Sequence, residues 1–465
     1  MPLSSPLYPS TPAGRAEAVV DDILRALYGP DPYVVVYAPP GSGKTTLVCD
    51  LAAQEMVILG GRAVIATQTK LQTWDVARRL ASSSTVTAPL PVTLYLSKKV
   101  RVPDDILALP SVRIAREGRD MPRGPAIVVA NAAKLAHLIV SAAALYTLLI
   151  VDEACQLADY RFAQIAGLAD RIVLVGDPGQ IDPFVRSRVE RWRDERTGPH
   201  LPCVRVLLAR WPGTATYTLP VSRRLPFDTA EVVGTYFYPA QPFASQAPPG
   251  ARRLLPGPIG ALPIVGSAAA TRGLDAAIDR VAAGRSLVGL TLPARTTGDV
   301  DEELAGCMAL LIERLLARGA AVDDGSGPAP RALEPGMIGV VCANVDQVTA
   351  VTARLDRRLR DVLVQTANSY QGLERPLMLV HHPLSGRVEP DAFHLDAGRF
   401  CVMLSRHRVA CVIVGRRGIA RQLDRYAPDN ERALGEDDDP EYQGLRAHRG
   451  VLRSLAASDA LVAVR

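Results

Sequence analysis

A glycine-rich turn with a single lysine is the first segment of the sequence whose residue types could do chemistry. Residues 38–46 read APPGSGKTT and follow the apolar run YVVVYA. The glycines let backbone N–H groups turn inward around phosphates, Lys44 can reach the β- and γ-phosphates, and the Thr45 hydroxyl can bind Mg²⁺. The helix predicted to begin at Thr45 adds the positive end of its dipole. We interpret this segment as a phosphate-binding loop rather than a chance turn, with nucleotide contacts from Pro40, Gly41, Ser42, Gly43, Lys44, Thr45 and Thr46.

Two adjacent carboxylates, Asp152 and Glu153, follow a second apolar run, TLLIVD. An acid at the end of a strand can hold Mg²⁺ through water, and its neighbour can activate the attacking water. Adjacent acids at such a place can also simply begin a helix, but the phosphate loop earlier in the chain favours the catalytic interpretation. The two segments together predict an NTPase that uses ATP and Mg²⁺, with the metal held by Thr45 and Asp152.

Further motifs follow in order along the chain. They read DEACQ at 152–156, GDPGQ at 176–180, SRRLP at 222–226, IGVVCANVDQ at 338–347, TANSYQGLE at 366–374 and RFCVMLSRHR at 399–408. This order resembles motifs II to VI of superfamily-one helicases, and the resemblance runs from about residue 11 to residue 415. The QGLE segment resembles the branch with the nonsense-decay and replication-associated helicases, and SRH is similar to the compact helicases of plus-strand RNA viruses.

The resemblance implies roles for residues beyond the phosphate loop. Gln180 would sense the γ-phosphate, Arg224 takes the arginine-finger position, and Arg406 falls on the γ-phosphate arginine. Gly372 and Glu374 would lie at the nucleotide. The implied catalytic set is therefore Lys44, Asp152, Glu153, Gln180, Arg224 and Arg406, and the implied direction of movement is 5′→3′.

Two segments are candidates for binding a single strand. The segment ATQTK at 66–70 resembles motif Ia, and its Thr67, Thr69 and Lys70 could hold phosphates. A plain strand-to-helix loop is the alternative there. In motif V, Ser369 and Tyr370 could contact the strand, with core packing as the alternative for Tyr370. The predicted partner is single-stranded nucleic acid, with DNA favoured over RNA.

The elements that must position these residues are short apolar strands followed by helical patterns. The strands are expected at 33–38, 62–67, 147–152, 171–176, 337–342, 361–366, 376–380 and 410–415. Continuous apolar runs are typical of parallel sheets covered on both faces. We therefore predict an α/β protein with two RecA-like P-loop NTPase domains, each a mostly parallel sheet with helices on both faces.

The predicted boundaries follow composition. The first domain takes residues 1–215 with a small insertion at about 83–125, and the second takes 216–425. Residues 426–465 are expected to form an acidic loop and a C-terminal helix, and 323–335 an exposed loop.

Composition excludes some classes of protein. The 465 residues are 48% hydrophobic with a net charge of +5, which excludes a disordered chain and a strongly basic coat protein. The apolar stretch 138–151 is interrupted by polar residues and is too short to span a membrane. The sequence begins without an apolar leader, so a cytoplasmic location, bacterial or viral in a host, is expected.

Three functions compete for this pattern. The first is an ATP-dependent translocase or helicase on single strands. The second is a nucleic-acid-binding ATPase switch or clamp without unwinding, for which the missing adenine-reading glutamine before the phosphate loop leaves room. A kinase-like NTPase is the third, and motifs III, V and VI argue against it.

The phosphate loop gives a first testable prediction. Lys44→Ala should abolish ATP hydrolysis, because the β- and γ-phosphates lose their main counter-charge in the loop. Steady-state ATPase assays on the two proteins measure the loss, and wild-type turnover in the variant would rule out this loop as the nucleotide site.

Overall fold

The structure is a computed structural model that describes residues 12–82, 90–138, 145–185, 188–192, 195–259, 267–427 and 439–464. The chain divides into two compact units. Unit 1 comprises Met1–Pro178 and Asp182–Val221, and unit 2 comprises Gly179–Ile181 and Ser222–Arg465. The sequence placed the boundary a few residues earlier, after 215, and assigned the whole of GDPGQ to the first domain.

Unit 1 is built on one parallel sheet of eight strands in the order β4-β3-β5-β2-β6-β7-β1-β8. Its elements are α1 (Pro12–Leu27), β1 (Tyr33–Tyr37), α2 (Lys44–Val57), β2 (Arg62–Thr67), α3 (Lys70–Ala81), β3 (Val92–Tyr95), α4 (Asp104–Leu107), β4 (Val112–Ala115), β5 (Ala126–Asn131), α5 (Ala132–Leu135), β6 (Tyr146–Asp152), α6 (Asp159–Ala163), β7 (Ala169–Gly176), α7 (Cys203–Arg210) and β8 (Ala215–Thr218).

Alternate residues of the central strands enter two separate cores. In β6, Leu148 and Ile150 pack on one face of the sheet, whereas Leu149 and Val151 pack on the other, and all four are fully buried. A strand buried on both faces needs apolar residues at every position, which is why β6 appears in the sequence as an unbroken apolar run. The prediction of a parallel sheet with helices on both faces is confirmed for this unit.

The parallel direction of the strands decides where the polar segments of unit 1 lie. Because all eight strands run the same way, the residues that follow each strand meet at one edge of the sheet. The phosphate loop follows β1, ATQTK ends β2 and begins α3, Asp152 ends β6, and Asp177 follows β7. The fold therefore gathers these sequence motifs at the carboxyl edge of unit 1.

Unit 2 has a six-stranded parallel sheet in the order β16-β15-β17-β18-β12-β19 and a small antiparallel sheet, β11-β13-β14. After β9 (Val221–Ser222) at the boundary come α8 (Phe227–Phe237), β10 (Ala244–Ser245), β11 (Arg253–Leu255), α9 (Ala268–Ala282), β12 (Leu287–Leu292), α10 (Glu302–Ala317), β13 (Ala321–Asp323), β14 (Arg331–Ala332), β15 (Ile338–Cys342), α11 (Val345–Arg354), β16 (Leu363–Thr366), β17 (Arg375–His381), α12 (Ala392–Leu395), α13 (Ala397–Leu404), β18 (His407–Arg416), α14 (Ile419–Arg425), α15 (Pro440–Ala457) and β19 (Leu461–Ala463).

Two sequence-based expectations for unit 2 differ from the structure. The C-terminal segment is more than a loop and a helix, because β19 after α15 pairs in parallel with β12 and completes the sheet. The expected loop at 323–335 contains β14, which pairs with β13. Both strands are very short, so neither gives a readable alternation in the sequence.

The expected insertion at 83–125 and the acidic run fall partly outside the described residues. Among the residues that the structure does describe, no helix is long and apolar enough to cross a membrane.

A buried ion pair joins the end of β18 to the start of α10. Arg416 donates two hydrogen bonds to Asp301, at 2.6 and 2.8 Å, and a third to Glu303. The side chains of Arg416 and Asp301 are 2% and 3% exposed. Removing one partner of such a pair leaves an uncompensated charge inside the protein, which is strongly destabilising.

We therefore expect Asp301→Asn to loosen unit 2. The loss should be about 3 kcal/mol, the lower end for a broken buried pair, because Glu303 stays on Arg416. Hydrogen–deuterium exchange of β18 amides should become about 10²-fold faster. The matched control is Asp356→Asn, which breaks an exposed pair with Arg358 and should leave β18 exchange unchanged. Equal exchange in both variants would show that the buried pair does not hold β18.

Candidate nucleotide site and arginine cluster

The phosphate loop joins β1 to α2, and the Ser42 N–H closes a turn within it by donating to the backbone oxygen of Pro39. Gly41 and Gly43 have positive φ angles of 73° and 90°, which favour glycine. Gly43 is the N-cap of α2 and offers no side chain to cap the first turn of the helix. The Ser42 hydroxyl is buried without a hydrogen-bond partner among the described residues. Uncapped N–H groups at a helix start and an unsatisfied hydroxyl suit the oxygens of a phosphate.

The remaining residues predicted for this loop lie at its two ends. Pro40 is buried, Lys44 and Thr45 are half-buried, and Thr46 is exposed on the first turn of α2. A nucleotide's phosphates would fit against the backbone of this loop, and Mg²⁺ would fit the oxygen ligands offered by Thr45 and Asp152. Bound Mg²⁺ supplies charge neutralisation for the phosphates.

Glu153 forms the central ion pair of unit 1, with Lys44. Glu153 is not a glycine, yet its φ is 57°, and its neighbour Asp152 accepts a hydrogen bond from its backbone N–H at 3.0 Å. Gln156 of DEACQ donates to the second carboxylate oxygen of Glu153 at 3.1 Å. A residue held in the left-handed region by its neighbours marks a functional site more often than a plain helix start. Gln156 thus orients the predicted general base.

Burial and charge act against each other at this ion pair. Burial opposes the charge of Lys44, but Glu153, Asp152 and Asp177 together raise the pKa of Lys44 above its ordinary value. Burial also raises the pKa of Asp152 to about 6; Lys44 works against this shift, while Glu153 adds to it. Asp177 itself is 1% exposed. The lysine therefore stays charged, and Asp152 is protonated more readily than an ordinary aspartate as the pH falls.

Gly176 allows the ends of two neighbouring strands to approach closely. A Cβ atom at this position would lie 2.6 Å from the backbone nitrogen of Cys155 and 2.7 Å from its sulfur. Only glycine fits between β7 and the DEACQ turn, which explains the residue before Asp177. Asp177 was not among the predicted site residues, although GDPGQ contains it.

The motif Ia segment is bonded to the carboxylate strand. The Gln68 side chain donates to the backbone oxygen of Asp152 at 3.3 Å, and Asn131 at the end of β5 donates to the backbone oxygen of Gln68. Three strand ends of unit 1 are thereby tied together. Neither Gln68 nor Asn131 was predicted, because nothing in their local sequence marks these contacts.

The two threonines of this segment have different environments. Thr67 is fully buried, and its hydroxyl bonds to Thr73 at 2.7 Å. The Thr69 side chain caps α3 by accepting from the backbone N–H of Gln72, whose side chain bonds back to Thr69. The buried Thr67 hydroxyl is used within the protein, so the prediction that it holds a phosphate is wrong for this side chain. Thr69 is exposed, and its hydroxyl accepts the capping bond while keeping its own proton to donate, so its contact with a phosphate stays a prediction. Lys70 is exposed at the first position of α3 and remains a candidate.

Unit 2 gathers arginines around Glu374, just before β17. Arg224 contacts one carboxylate oxygen at 2.6 Å, and Arg408 contacts the other at 3.1 Å. Arg224 also donates to the backbone oxygen of Ser405 at 3.2 Å. Burial would raise the pKa of Glu374, but Arg224 and then Arg408 outweigh it and hold the pKa below its ordinary value. Arg224 is therefore the arginine of SRRLP that is built into this cluster, whereas Arg223 is exposed.

The other predicted residues of unit 2 have different environments. Arg406 is 2% exposed, and its Nε donates to the backbone oxygen of Val402 at 3.2 Å. Gly372 has a positive φ of 81°. Gln180 is 8% exposed and packs in unit 2, where a Cβ at Gly398 would lie 2.6 Å from its backbone oxygen. Arg408 was not among the predicted site residues, yet it contacts Glu374 beside Arg224.

Of the two motif V candidates, one is exposed and one is in the core. Ser369 is exposed. Tyr370 is fully buried in a hydrophobic cluster, and its ring lies so close to Gly339 that a Cβ there would collide with it. The prediction that Tyr370 contacts nucleic acid is therefore wrong, and its aromatic ring serves packing.

Comparison with known proteins gives one family match and several distant structural likenesses. Residues 302–418 match the family described as AAA domain. No curated protein matches the sequence. The chain is similar to a solved PRRSV helicase (14% identity, TM-score 0.40, 87% of this chain and 56% of that one). It is similar also to arterivirus nonstructural protein 10, a helicase solved with DNA (14% identity, TM-score 0.41, 86% of this chain and 63% of that one). A third similar structure is the E. coli DExH-box NTPase HrpB (16% identity, TM-score 0.37, 92% of this chain and 44% of that one).

These likenesses are too distant to carry an argument, and the chain spans only 56% and 63% of the length of the two viral helicases. The class of the protein rests instead on its own residues. The phosphate loop and the Asp152–Glu153 pair have the arrangement of a P-loop nucleotide site, and the AAA domain match covers only residues 302–418 of unit 2. The matched segment also contains the stretches of unit 2 that resemble helicase motifs IV to VI.

The pKa of Asp152 predicts how metal binding depends on pH. A carboxylate must be ionised to hold Mg²⁺, and that of Asp152 is protonated below about pH 6. We expect Mg²⁺ affinity, titrated by calorimetry with a non-hydrolysable nucleotide bound, to fall about tenfold per pH unit below 6, after correction for protonation of the nucleotide. Asp152→Asn is the control, and its Mg²⁺ affinity should not show this fall below pH 6. Affinity that stays flat in the wild type down to pH 5 would assign the metal to another ligand.

Proposed function

We propose that this protein is an ATP-dependent helicase or translocase that couples ATP hydrolysis to movement on single-stranded nucleic acid. Lys44, Thr45 and Asp152 bind Mg²⁺-ATP, and Glu153 takes the proton of the attacking water. Arg224 and Arg406 of unit 2, with Gln180, would complete the catalytic set, as the resemblance implies. DNA is favoured over RNA as the strand, and 5′→3′ as the direction.

One observation favours this function over an unrelated NTPase. The segment that resembles the strand-binding motif is bonded through Gln68 to Asp152, the proposed metal ligand. A strand held at the exposed Lys70, two residues further on, would act on the same loop. A strand bound at Lys70 would thus be linked to the nucleotide site through two residues of backbone and the hydrogen bond from Gln68 to Asp152. A small-molecule kinase does not need such a link.

The ion pair of the proposed base with Lys44 fits an ATPase in which the substrate frees the base. Glu153 is paired with Lys44 and held by Gln156. When phosphates attract Lys44 away, Glu153 becomes free to accept a proton. The base is thus made available by the arrival of the substrate.

The test is ATPase activity without nucleic acid, with single-stranded DNA and with single-stranded RNA. Single strands should raise turnover at least tenfold, and Lys70→Ala should raise the strand concentration needed for half-maximal stimulation because one phosphate contact is lost. Arg358→Ala, which removes an exposed cation outside the proposed site, is the control and should behave as wild type. ATPase activity that no single strand stimulates would contradict the coupled function.

Unwinding is a separate question from stimulation. A duplex with a 5′ single-stranded tail should be separated in the presence of ATP, and one with a 3′ tail should not. Stimulation without strand separation on either substrate would favour the clamp or switch.

A further inference from the structure

Arg252 connects the two backbone segments that carry the arginines of the Glu374 cluster. Its side chain donates to the backbone oxygen of Arg408 at 3.2 Å and, through the other terminal nitrogen, to the backbone oxygen of Arg223. The first acceptor lies at the start of β18, and the second immediately precedes Arg224. One guanidinium therefore bridges two segments that are far apart in the sequence.

The guanidinium is well suited to this bridge. Its terminal nitrogens diverge in a fixed plane, so one side chain can satisfy two carbonyl oxygens on different segments at once. A lysine offers a single ammonium and would not reproduce the fork. The bridge uses only backbone acceptors, so it fixes the paths of the chain and leaves the side chains of Arg224 and Arg408 to Glu374.

The residue that supplies the bridge is itself held firmly. Arg252 directly precedes β11, which pairs with β13 from Arg253 to Leu255. Leu254 is 1% exposed and packs in the main core of unit 2. The side chain of Arg252 thus projects from an anchored strand, and its donors cannot drift far from their acceptors.

Like charges make the bridge necessary. Arg224 and Arg408 share the single carboxylate of Glu374, and Arg252 lies close enough to Arg408 that burial, together with that neighbour, lowers the pKa of Arg252. Two cations on one anion repel each other, so the shared carboxylate alone does not fix the distance between them. Fixed positions matter because a misplacement of about 1 Å can cost about 10²-fold in rate.

We propose that Arg252 is a positioning residue for ATP hydrolysis, which joins the backbone at Arg223 to the backbone at Arg408 and so fixes where Arg224 and Arg408 present their charges. This inference rests on the proposed function, in which Arg224 acts in the reaction. Arg252 itself touches neither nucleotide nor metal in this account. Its effect on the reaction passes through Arg224.

The test compares Arg252→Gln with Arg253→Gln in the full-length protein. Arg253 is the adjacent arginine, half-exposed and paired only with Asp323 among the contacts described, so its loss should leave turnover unchanged. For Arg252→Gln we expect kcat to fall about 10- to 10²-fold while the KM for ATP stays within about twofold. A residue that merely stabilised the fold would instead lower the melting temperature without this split.

A double variant shows whether Arg252 acts through Arg224. Arg224→Ala alone should cut kcat strongly, and adding Arg252→Gln should reduce it less than about threefold further, because both changes remove the same contribution. Full multiplication of the two effects would overturn the proposal. If Arg252→Gln does not fold, Arg252→Lys, which keeps the charge and loses the fork, should show the same split with a smaller loss.

The outcomes distinguish failure of the positioning role from failure of the proposed function. Loss of activity in Arg224→Ala with wild-type kcat in Arg252→Gln and Arg252→Lys would overturn the positioning role and leave the proposed function standing. Wild-type kcat in Arg224→Ala would contradict the proposed function, and the positioning role with it.

Discussion

The ion pair between Lys44 and Glu153 is the interaction on which the rest of unit 1 depends. A buried lysine is stable only among carboxylates, and Asp152 and Asp177 add to the charge that Glu153 supplies. These three acids come from the ends of β6 and β7, on either side of a position that only glycine can occupy. The strand order, the strained turn at Glu153 and the glycine at 176 therefore serve a single purpose, which is to surround one cation.

The charged cluster of unit 2 has the opposite composition, with several arginines around one carboxylate. There the cations outnumber the acid, and Glu374 keeps Arg224 and Arg408 together by offering one oxygen to each. Side-chain attraction alone gives little directional control, so the chain adds backbone hydrogen bonds from Arg224 to Ser405 and from Arg252 to two further carbonyls. The cluster is thus held by one charge and by several neutral acceptors.

The sequence predicted the parts of the fold and site that depend on local pattern. Strands such as β6 and β15 have continuous apolar centres because both faces are covered, and the structure has them within a residue or two of the expected ranges. The short, half-exposed β4, with the sequence VRIA, and the three-residue β19 gave no such signal. Tyr370 shows the limit for site residues, since a polar motif can contain a core side chain.

Residues that act through distant partners escaped prediction for a related reason. Gln68 bonds to a backbone oxygen 84 positions away, and Arg252 to carbonyls 29 and 156 positions away. A backbone carbonyl is present in every residue, so the acceptor leaves no trace in the composition. Phosphate-binding glycines, by contrast, are required at fixed spacing by the turn itself, and the sequence shows them directly.

The division of the chain has a consequence for its dissection into fragments. The polypeptide passes between the two units after Pro178, after Ile181 and after Val221, so unit 2 begins with a three-residue piece threaded into the middle of unit 1's sequence. No single cut of the chain can yield both units whole. A fusion or exchange made at residue 221 would carry Gly179–Ile181 away from Gly398 and the rest of its packing partners. An exchange of unit 1 alone would therefore have to keep this three-residue piece matched to the unit 2 residues on which it packs.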